Sequence, residues 1–151
     1  MNITIYTNQD KNKNSKVSLI NSALIVTMPG CGHCKALNPI LTELNKKLKL
    51  YNNDGSTKIY NIENELFDKL VKNRKIKDAV SGYPTILIAK NNNLSKIYEG
   101  PRTLDDLLKF FKDNLNIKQI KKGGTKKKSL KKAIKKPNRK YNYSRKQKNI
   151  Q

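Results

Sequence analysis

Hydrophobic residues in the first three quarters of the chain follow two spacings, and the shorter spacing predicts strands. Residues 3–7 (ITIYT) alternate and are rich in β-branched side chains, and residues 57–62 (TKIYNI) predict a further strand. Residues 23–28 (ALIVTM) form a continuous apolar run, which is typical of a strand buried on both faces. Residues 83–89 and 94–100 predict two antiparallel strands joined as a hairpin.

The longer, helical spacing fills the intervals between these strands. Over residues 34–49, leucines recur at steps of three and four, which predicts a helix that Pro39 kinks. Residues 63–75 predict a second helix, and a short helix is expected near 15–22. Thr103 is a suitable N-cap for a closing helix. This alternation predicts an α/β fold, with a mixed central sheet covered by helices on both faces.

The charge of the chain changes abruptly after residue 117. The 151 residues carry a net charge of +22, and residues 118–151 hold 15 of the 33 Lys and Arg but none of the 11 Asp and Glu. A segment with so many like charges and few apolar residues stays disordered on its own. We therefore predict one domain over residues 1–117 and a basic, disordered tail over residues 118–151.

The predicted partner of this tail is nucleic acid or another polyanion, because a dense polycation binds phosphate backbones through counterion release. Tyr141 and Tyr143 lie among its cations and are suited to stack on exposed bases. The predicted polyanion-binding residues are Lys126, Lys127, Lys128, Lys131, Lys132, Lys135, Lys136, Arg139 and Arg145. A solvated tail, a nuclear-import signal and contact with acidic lipid or protein remain alternatives.

The sequence contains none of the common secretory or membrane-targeting patterns. The first 16 residues contain no apolar run of signal-peptide length, and no stretch approaches the roughly 20 apolar residues of a membrane span. The last residues carry no retention signal. We therefore expect a monomeric cytoplasmic protein with no membrane span. Lys, Asn, Ile and Tyr are abundant, as an A/T-rich genome would encode, and the tail combines Gly-Gly with runs of lysine. In both features the chain resembles proteins of large DNA viruses, so a nuclear or virion location is the alternative.

Both cysteines and the only histidine of the chain fall in the motif CGHC, residues 31–34. Two intervening residues at a strand-to-helix turn bring two sulfurs within bonding reach. Cys31 then lies at a helix N-terminus, which stabilises a thiolate, whereas a free thiol with a pKa of about 8.5 is only about 3 % ionised at pH 7. His33 favours the same anion when it is protonated, and Cys34 lies one turn further in, where it is suited to resolve a mixed disulfide.

A metal site is the weaker interpretation of the same motif. A structural zinc site needs four ligands, usually two separated pairs, and this chain has one cysteine pair with the histidine between its members. A site completed by carboxylates, a site shared by two copies, and an incidental cysteine pair remain alternatives. The prediction is therefore a redox-active pair, Cys31 and Cys34, with no metal and no cofactor.

Several other segments accompany CGHC in a fixed order. Pro29 precedes the motif, Pro39 follows it, VSGYPT occupies residues 80–85 and YEGPRT occupies residues 98–103. With these segments the chain resembles the thioredoxin-fold superfamily, most of all the catalytic domains of protein disulfide isomerase. The resemblance covers about residues 1–117. It implies a thioredoxin fold and a thiol–disulfide oxidoreductase that acts on protein thiols and disulfides.

The resemblance also implies roles for individual residues. Cys31 is the attacking cysteine and Cys34 the resolving one. Pro84 is a cis proline that faces the disulfide and exposes the backbone of Tyr83 to an extended substrate strand; an ordinary turn at these two residues is the alternative. The supporting residues that it implies are Gly32, His33, Tyr83 and Pro84.

The chain departs from the pattern that it resembles at two positions. The tryptophan that precedes the first cysteine is Gly30 here, and the buried carboxylate six residues before that cysteine is Ile25. Without that acid, the thiol of Cys34 must lose its proton to water or another group, which predicts slower turnover in the reducing direction. These departures favour a second class of function: a thioredoxin-fold binding or structural protein with little redox turnover, such as a nucleic-acid-associated virion component.

Overall fold

The computed structural model of the protein describes residues 1–12, 16–52 and 55–120. The tail residues predicted to bind polyanions, from Lys126 to Arg145, lie outside this described part. In chain order the elements are β1 (Ile3–Tyr6), a 3₁₀ helix (Asn8–Asn12), β2 (Asn21–Thr27), α1 (Gly32–Leu48), β3 (Tyr51–Asn52), β4 (Thr57–Glu63), α2 (Asn64–Leu70), α3 (Arg74–Asp78), β5 (Thr85–Lys90), β6 (Asn93–Ile97), α4 (Leu104–Asn114) and β7 (Lys118–Gln119).

Five of these strands form one mixed sheet in the order β1-β4-β2-β5-β6. Strands β1 and β2 run parallel to β4, β5 runs antiparallel to β2, and β6 runs antiparallel to β5. Every residue of β2 is buried, as the continuous apolar run predicts for a central strand. The carboxyl end of β2, at Thr27, therefore leads directly from the middle of the sheet into the cysteine motif.

Helices cover both faces of the sheet, which confirms the predicted α/β layering. On one face, α1 and α4 bury Leu44 and Phe111 against residues of the sheet such as Ile59. On the other face, α2 and α3 contribute Phe67 and Ile76 to a second apolar cluster. Burial of an apolar side chain of this size stabilises the fold by about 1.5–3 kcal/mol, so each helix is held mainly by its apolar face.

The helix predicted near 15–22 is wrong. The short helix lies earlier, at Asn8–Asn12, and Asn21 already belongs to β2. Long-range hydrogen bonds hold the intervening segment in its place. The N–H of Ser18 donates to the phenol oxygen of Tyr60 at 3.1 Å. Burial raises the pKa of Tyr60, and the hydrogen bond from Ser18 offsets part of this increase. Sequence periodicity contains no information about this partner, which lies 42 residues away.

The helix predicted over residues 63–75 is two helices, α2 and α3. The chain is extended at Val71, and Asn73 then caps α3 by accepting the N–H of Ile76 at 3.2 Å. Asparagine is among the preferred N-cap residues, so the sequence carried a signal for a second start.

Strands β3 and β7 form a small antiparallel pair that the sequence pattern did not predict. The N–H of Ile120 continues this contact by donating to the carbonyl oxygen of Leu50 at 2.8 Å. Backbone pairing with the domain thus extends three residues past the predicted boundary at residue 117. That boundary itself remains a prediction.

Candidate redox site

The cysteine motif follows a tight turn between β2 and α1. Gly30 adopts a φ of +79°, which side-chain-bearing residues rarely adopt, and the N–H of Cys31 donates to the carbonyl oxygen of Met28 at 3.2 Å. The turn places Cys31 at the N-cap of α1. The local sequence thereby directs the first cysteine to the end of the helix, where free N–H groups point outward.

The two cysteines differ in exposure although their sulfurs are paired. Cys31 and Cys34 form a disulfide, with their Cα atoms 5.2 Å apart. Cys31 is partly exposed, whereas Cys34 is only 5 % exposed. The Sγ atom of Cys31 accepts the N–H of Cys34 at 3.1 Å, a bond that also stabilises a thiolate in the reduced protein. Gly32 and His33, in the first turn of α1, are both exposed.

One side of Cys31 faces the backbone of Tyr83 and Pro84. We call this surface, together with the Arg102 side chain that supports it, the backbone wall. The Tyr83–Pro84 peptide bond is cis, and the carbonyl oxygen of Tyr83 lies 3.6 Å from the Sγ atom of Cys31. Pro84 is buried, and its carbonyl oxygen accepts a hydrogen bond from the guanidinium of Arg102 at 3.1 Å. The structure thus brings the residues predicted from YPT next to the cysteine pair.

The other side of Cys31 opens into a cleft of about 490 Å³. This space, called the cleft below, lies between α1 and the carboxyl ends of β1, β2 and β4. A Cβ atom added at Gly30 would contact nothing within 4 Å, so the missing side chain leaves the mouth open. The lining residues are Ile3, Ile5, Tyr6, Thr7, Thr27, Met28, Pro29, Gly30, Cys31, Cys34, Lys35, Asn38, Leu41, Thr42, Asn45, Asn61 and Glu63.

The ends of β2 and β4 contribute polar side chains to the cleft. Thr27 donates a hydrogen bond to the side-chain oxygen of Asn61 at 3.3 Å, and a carboxylate oxygen of Glu63 accepts the N–H of Asn8 at 2.6 Å. Glu63 supplies the one carboxylate among the described residues that line the cleft, and Lys35 supplies the one cation. The sequence pattern does not predict this cleft, because its lining comes from separate elements that only the folded chain brings together.

The position of the missing acid is part of the apolar core. Ile25 is fully buried in the cluster that includes Leu37 and Leu41, and it pairs with Asn61 across the sheet.

Among the described residues, no group of three or more His, Cys, Asp and Glu side chains is arranged to hold a metal ion. Within the same part of the chain, no helix is long and apolar enough to cross a membrane.

Comparisons with known proteins agree with this geometry. A family model described as Thioredoxin matches residues 4–113. Protein disulfide isomerase-like 2-2 of Oryza sativa subsp. japonica is 36 % identical over 96 residues, which are 63 % of this chain and 24 % of that protein. Protein disulfide-isomerase TMX3 of Homo sapiens is 31 % identical over 100 residues, which are 66 % of this chain and 20 % of that protein. The chain thus spans about a quarter or less of the length of these relatives.

Solved structures show the same fold. The crystal structure of the J-Trx1 fragment of ERdj5 matches with a TM-score of 0.51 and 20 % identity, over 74 % of this chain and 50 % of that one. Human ERp44 in its zinc-bound form matches with a TM-score of 0.50 and 17 % identity, over 74 % of this chain and 30 % of that one. At these identities the likeness describes the fold alone.

Proposed function

This chain belongs to the thioredoxin family, and on that premise we propose that it is a thiol–disulfide oxidoreductase of the protein disulfide isomerase type. The observation that carries the proposal is the cysteine pair at the N-terminus of α1, with Cys31 partly exposed and Cys34 only 5 % exposed. Two sulfurs with unequal access are what an exchange catalyst needs, because one must meet the substrate and the other must resolve the intermediate. The naming of the relatives as disulfide isomerases supports the same activity.

The proposed reaction proceeds in two exchange steps. The thiolate of reduced Cys31 attacks one sulfur of a substrate disulfide, which forms a mixed disulfide and releases the other substrate sulfur as a thiolate. Cys34, after losing its proton, attacks the Sγ atom of Cys31, which forms the Cys31–Cys34 disulfide and releases the second substrate thiolate. The reverse sequence transfers the disulfide to a substrate dithiol. The backbone of Tyr83 pairs with the extended substrate segment during both steps.

Reduction of insulin disulfides by the full chain, driven by dithiothreitol, tests this proposal. Cys31→Ser should reduce turnover to the rate of dithiothreitol alone. In a single turnover without dithiothreitol, the reduced Cys34→Ser variant should instead accumulate a mixed disulfide with insulin that non-reducing electrophoresis detects. If Cys31→Ser retains the wild-type rate, the proposed activity is wrong.

The direction of exchange is proposed to favour oxidation or isomerisation. His33, rather than a proline, lies between the cysteines and favours the reduced thiolate when it is protonated, which makes the disulfide less stable. Equilibration of the full chain with glutathione should give a potential above the value of about −270 mV that is typical of thioredoxin. A potential at or below that value contradicts this assignment.

The tail is proposed to contact nucleic acid or another polyanion. Support comes from its composition, with 15 cations and no acid in residues 118–151. If about eight phosphates are neutralised, binding of the full chain to duplex DNA should weaken on the order of 10⁴-fold between 50 and 200 mM salt. Replacing the lysines of the tail by glutamine in the full chain should remove most of this binding, and salt-insensitive binding would exclude the polycation mechanism.

A second candidate is a thioredoxin-fold binding or structural protein with little redox turnover. Ile25, which places no carboxylate near Cys34, and Gly30, which leaves the site without an aromatic cover, favour this candidate. The insulin assay separates the two, because a protein of this kind forms its disulfide but does not cycle.

A further inference from the structure

We propose that the cleft beside Cys31 is a side-chain subsite that favours protein substrates with Lys or Arg two residues from the reacting cysteine, and that Glu63 determines this preference. This inference rests on the proposed thiol–disulfide exchange, for which it names the substrate class. The observation that carries it is a single carboxylate on the sheet wall of a cleft that both cysteines line.

The position of the cleft brings it within reach of any substrate that reacts at Cys31. In an extended chain, alternate side chains point to the same side and lie about 6.6 Å apart. When the substrate sulfur meets the Sγ atom of Cys31, the side chain two residues away therefore points toward the same surface. With the backbone wall on one side of Cys31, that side chain enters the cleft on the other.

The chemistry of the cleft suits a long cationic side chain. At its mouth Met28 is 40 % exposed and Ile5 is 63 % exposed, and these side chains offer an apolar surface to an aliphatic stem. At the end of β4, Asn61 and Glu63 line the cleft with oxygens that can accept hydrogen bonds from a cationic head. A purely apolar substrate side chain would displace water from the Glu63 carboxylate without offering it a counter-charge, at a cost in desolvation.

The orientation of Glu63 is already fixed in the free protein. One carboxylate oxygen accepts the N–H of Asn8 at 2.6 Å, so binding does not have to order this side chain. Lys35, which lines the cleft from α1, is exposed and repels a cation from the helix side. The two charges together direct a basic side chain to the sheet wall. Removal of Glu63 should therefore lower the preference for a basic side chain, and removal of Lys35 should raise it.

The test compares two disulfide-linked peptides that are identical except for Lys or Glu two residues from the cysteine. The kcat/KM of reduction is measured with the full chain at 0.15 M salt, where charges more than about 8 Å apart are largely screened. Glu63→Gln should lower the Lys-to-Glu preference about fivefold, the effect of removing one partner of a partly exposed ion pair. Asp78→Asn removes an exposed carboxylate on α3 that does not line the cleft, and it should leave the preference within about twofold of wild type.

Four results separate success from failure. Lys35→Gln should raise the Lys-to-Glu preference, which a merely structural role of Glu63 does not predict. If Glu63→Gln slows both peptides equally, Glu63 acts on the exchange chemistry or the fold, and the subsite is wrong. If the wild type reduces both peptides and Glu63→Gln leaves their ratio unchanged, only this inference is overturned. If the wild type reduces neither, the proposed function fails and this inference fails with it.

Discussion

The two sides of Cys31 differ in what they present to a substrate. The backbone wall offers the carbonyl oxygen of Tyr83, 3.6 Å from the Sγ atom of Cys31, on a segment whose next carbonyl is held by Arg102. The cleft offers side chains instead, with Met28 at its mouth and Glu63 on its sheet wall. Every peptide has a backbone, but only some carry a cationic side chain. The backbone wall is therefore suited to accept many substrates, and the cleft is suited to choose among them.

This difference makes the two sides separable by experiment. A change in the backbone wall should alter the rates for all substrates by a similar factor. A change in the cleft should alter the ratio of rates between substrates with different flanking residues.

The largest expected effect is the difference in reactivity between the two cysteines of the reduced protein. Cys31 is partly exposed at the N-terminus of α1, whereas Cys34 is 5 % exposed. Alkylation with iodoacetamide at pH 6, followed by mass spectrometry, should label Cys31 about 100-fold faster. Equal labelling of the two thiols would show that both are accessible, and the assignment of attacking and resolving roles would be wrong.

The next effect tests the backbone wall. Arg102→Met removes the hydrogen bond to the carbonyl oxygen of Pro84, so the wall loses a support that ties it to the segment before α4. We expect kcat/KM to fall about fivefold for the Lys and Glu peptides alike. Arg74→Met, which removes an exposed arginine on α3, is the control and should leave both rates unchanged. A loss confined to one peptide would mean that the backbone wall also reads side chains.

Gly30 tests how the turn keeps the mouth of the cleft open. Its φ of +79° strains any side chain, although a Cβ there meets no atom within 4 Å. Gly30→Ala should therefore cost about 1 kcal/mol in the free energy of unfolding, measured by urea titration, and Gly30→Asn should cost less because asparagine tolerates this conformation. Equal stability of wild type and Gly30→Ala would indicate that the turn relaxes to another conformation.

The smallest effect concerns the mouth of the cleft. Ile5 is 63 % exposed on the edge strand β1, so substitutions there change the charge at the mouth without disturbing the core. Ile5→Lys should lower the Lys-to-Glu preference about twofold, and Ile5→Glu should raise it by a similar factor, as expected for exposed charges. The two variants are matched controls for each other. Changes in the same direction would exclude an electrostatic mechanism.

Much of the fold could be predicted from the sequence because it rests on local pattern. The apolar run 23–28 indicated a central strand, the leucine spacing over 34–49 indicated α1, and Asn91 and Asn92, both with positive φ, connect the predicted hairpin. Two local errors remained. The short helix near 15–22 was misplaced, and the helix over 63–75 is broken at Val71. Tertiary hydrogen bonds or a cap decided both cases, and these compete successfully with weak local propensity.

The sequence by itself determined the cysteine pair and its placement, because CGHC follows a strand and begins a helix within a few residues. It also determined the charge of the tail, which composition alone sets. Only the tertiary structure decided the surroundings of Cys31. Tyr83 lies 52 residues away from it in sequence, and Glu63 reaches the cleft because β4 lies between β1 and β2 in the sheet. Contacts of this kind depend on how strands are ordered and paired, and hydrophobic periodicity records which face of a strand is buried but not which strand lies beside it.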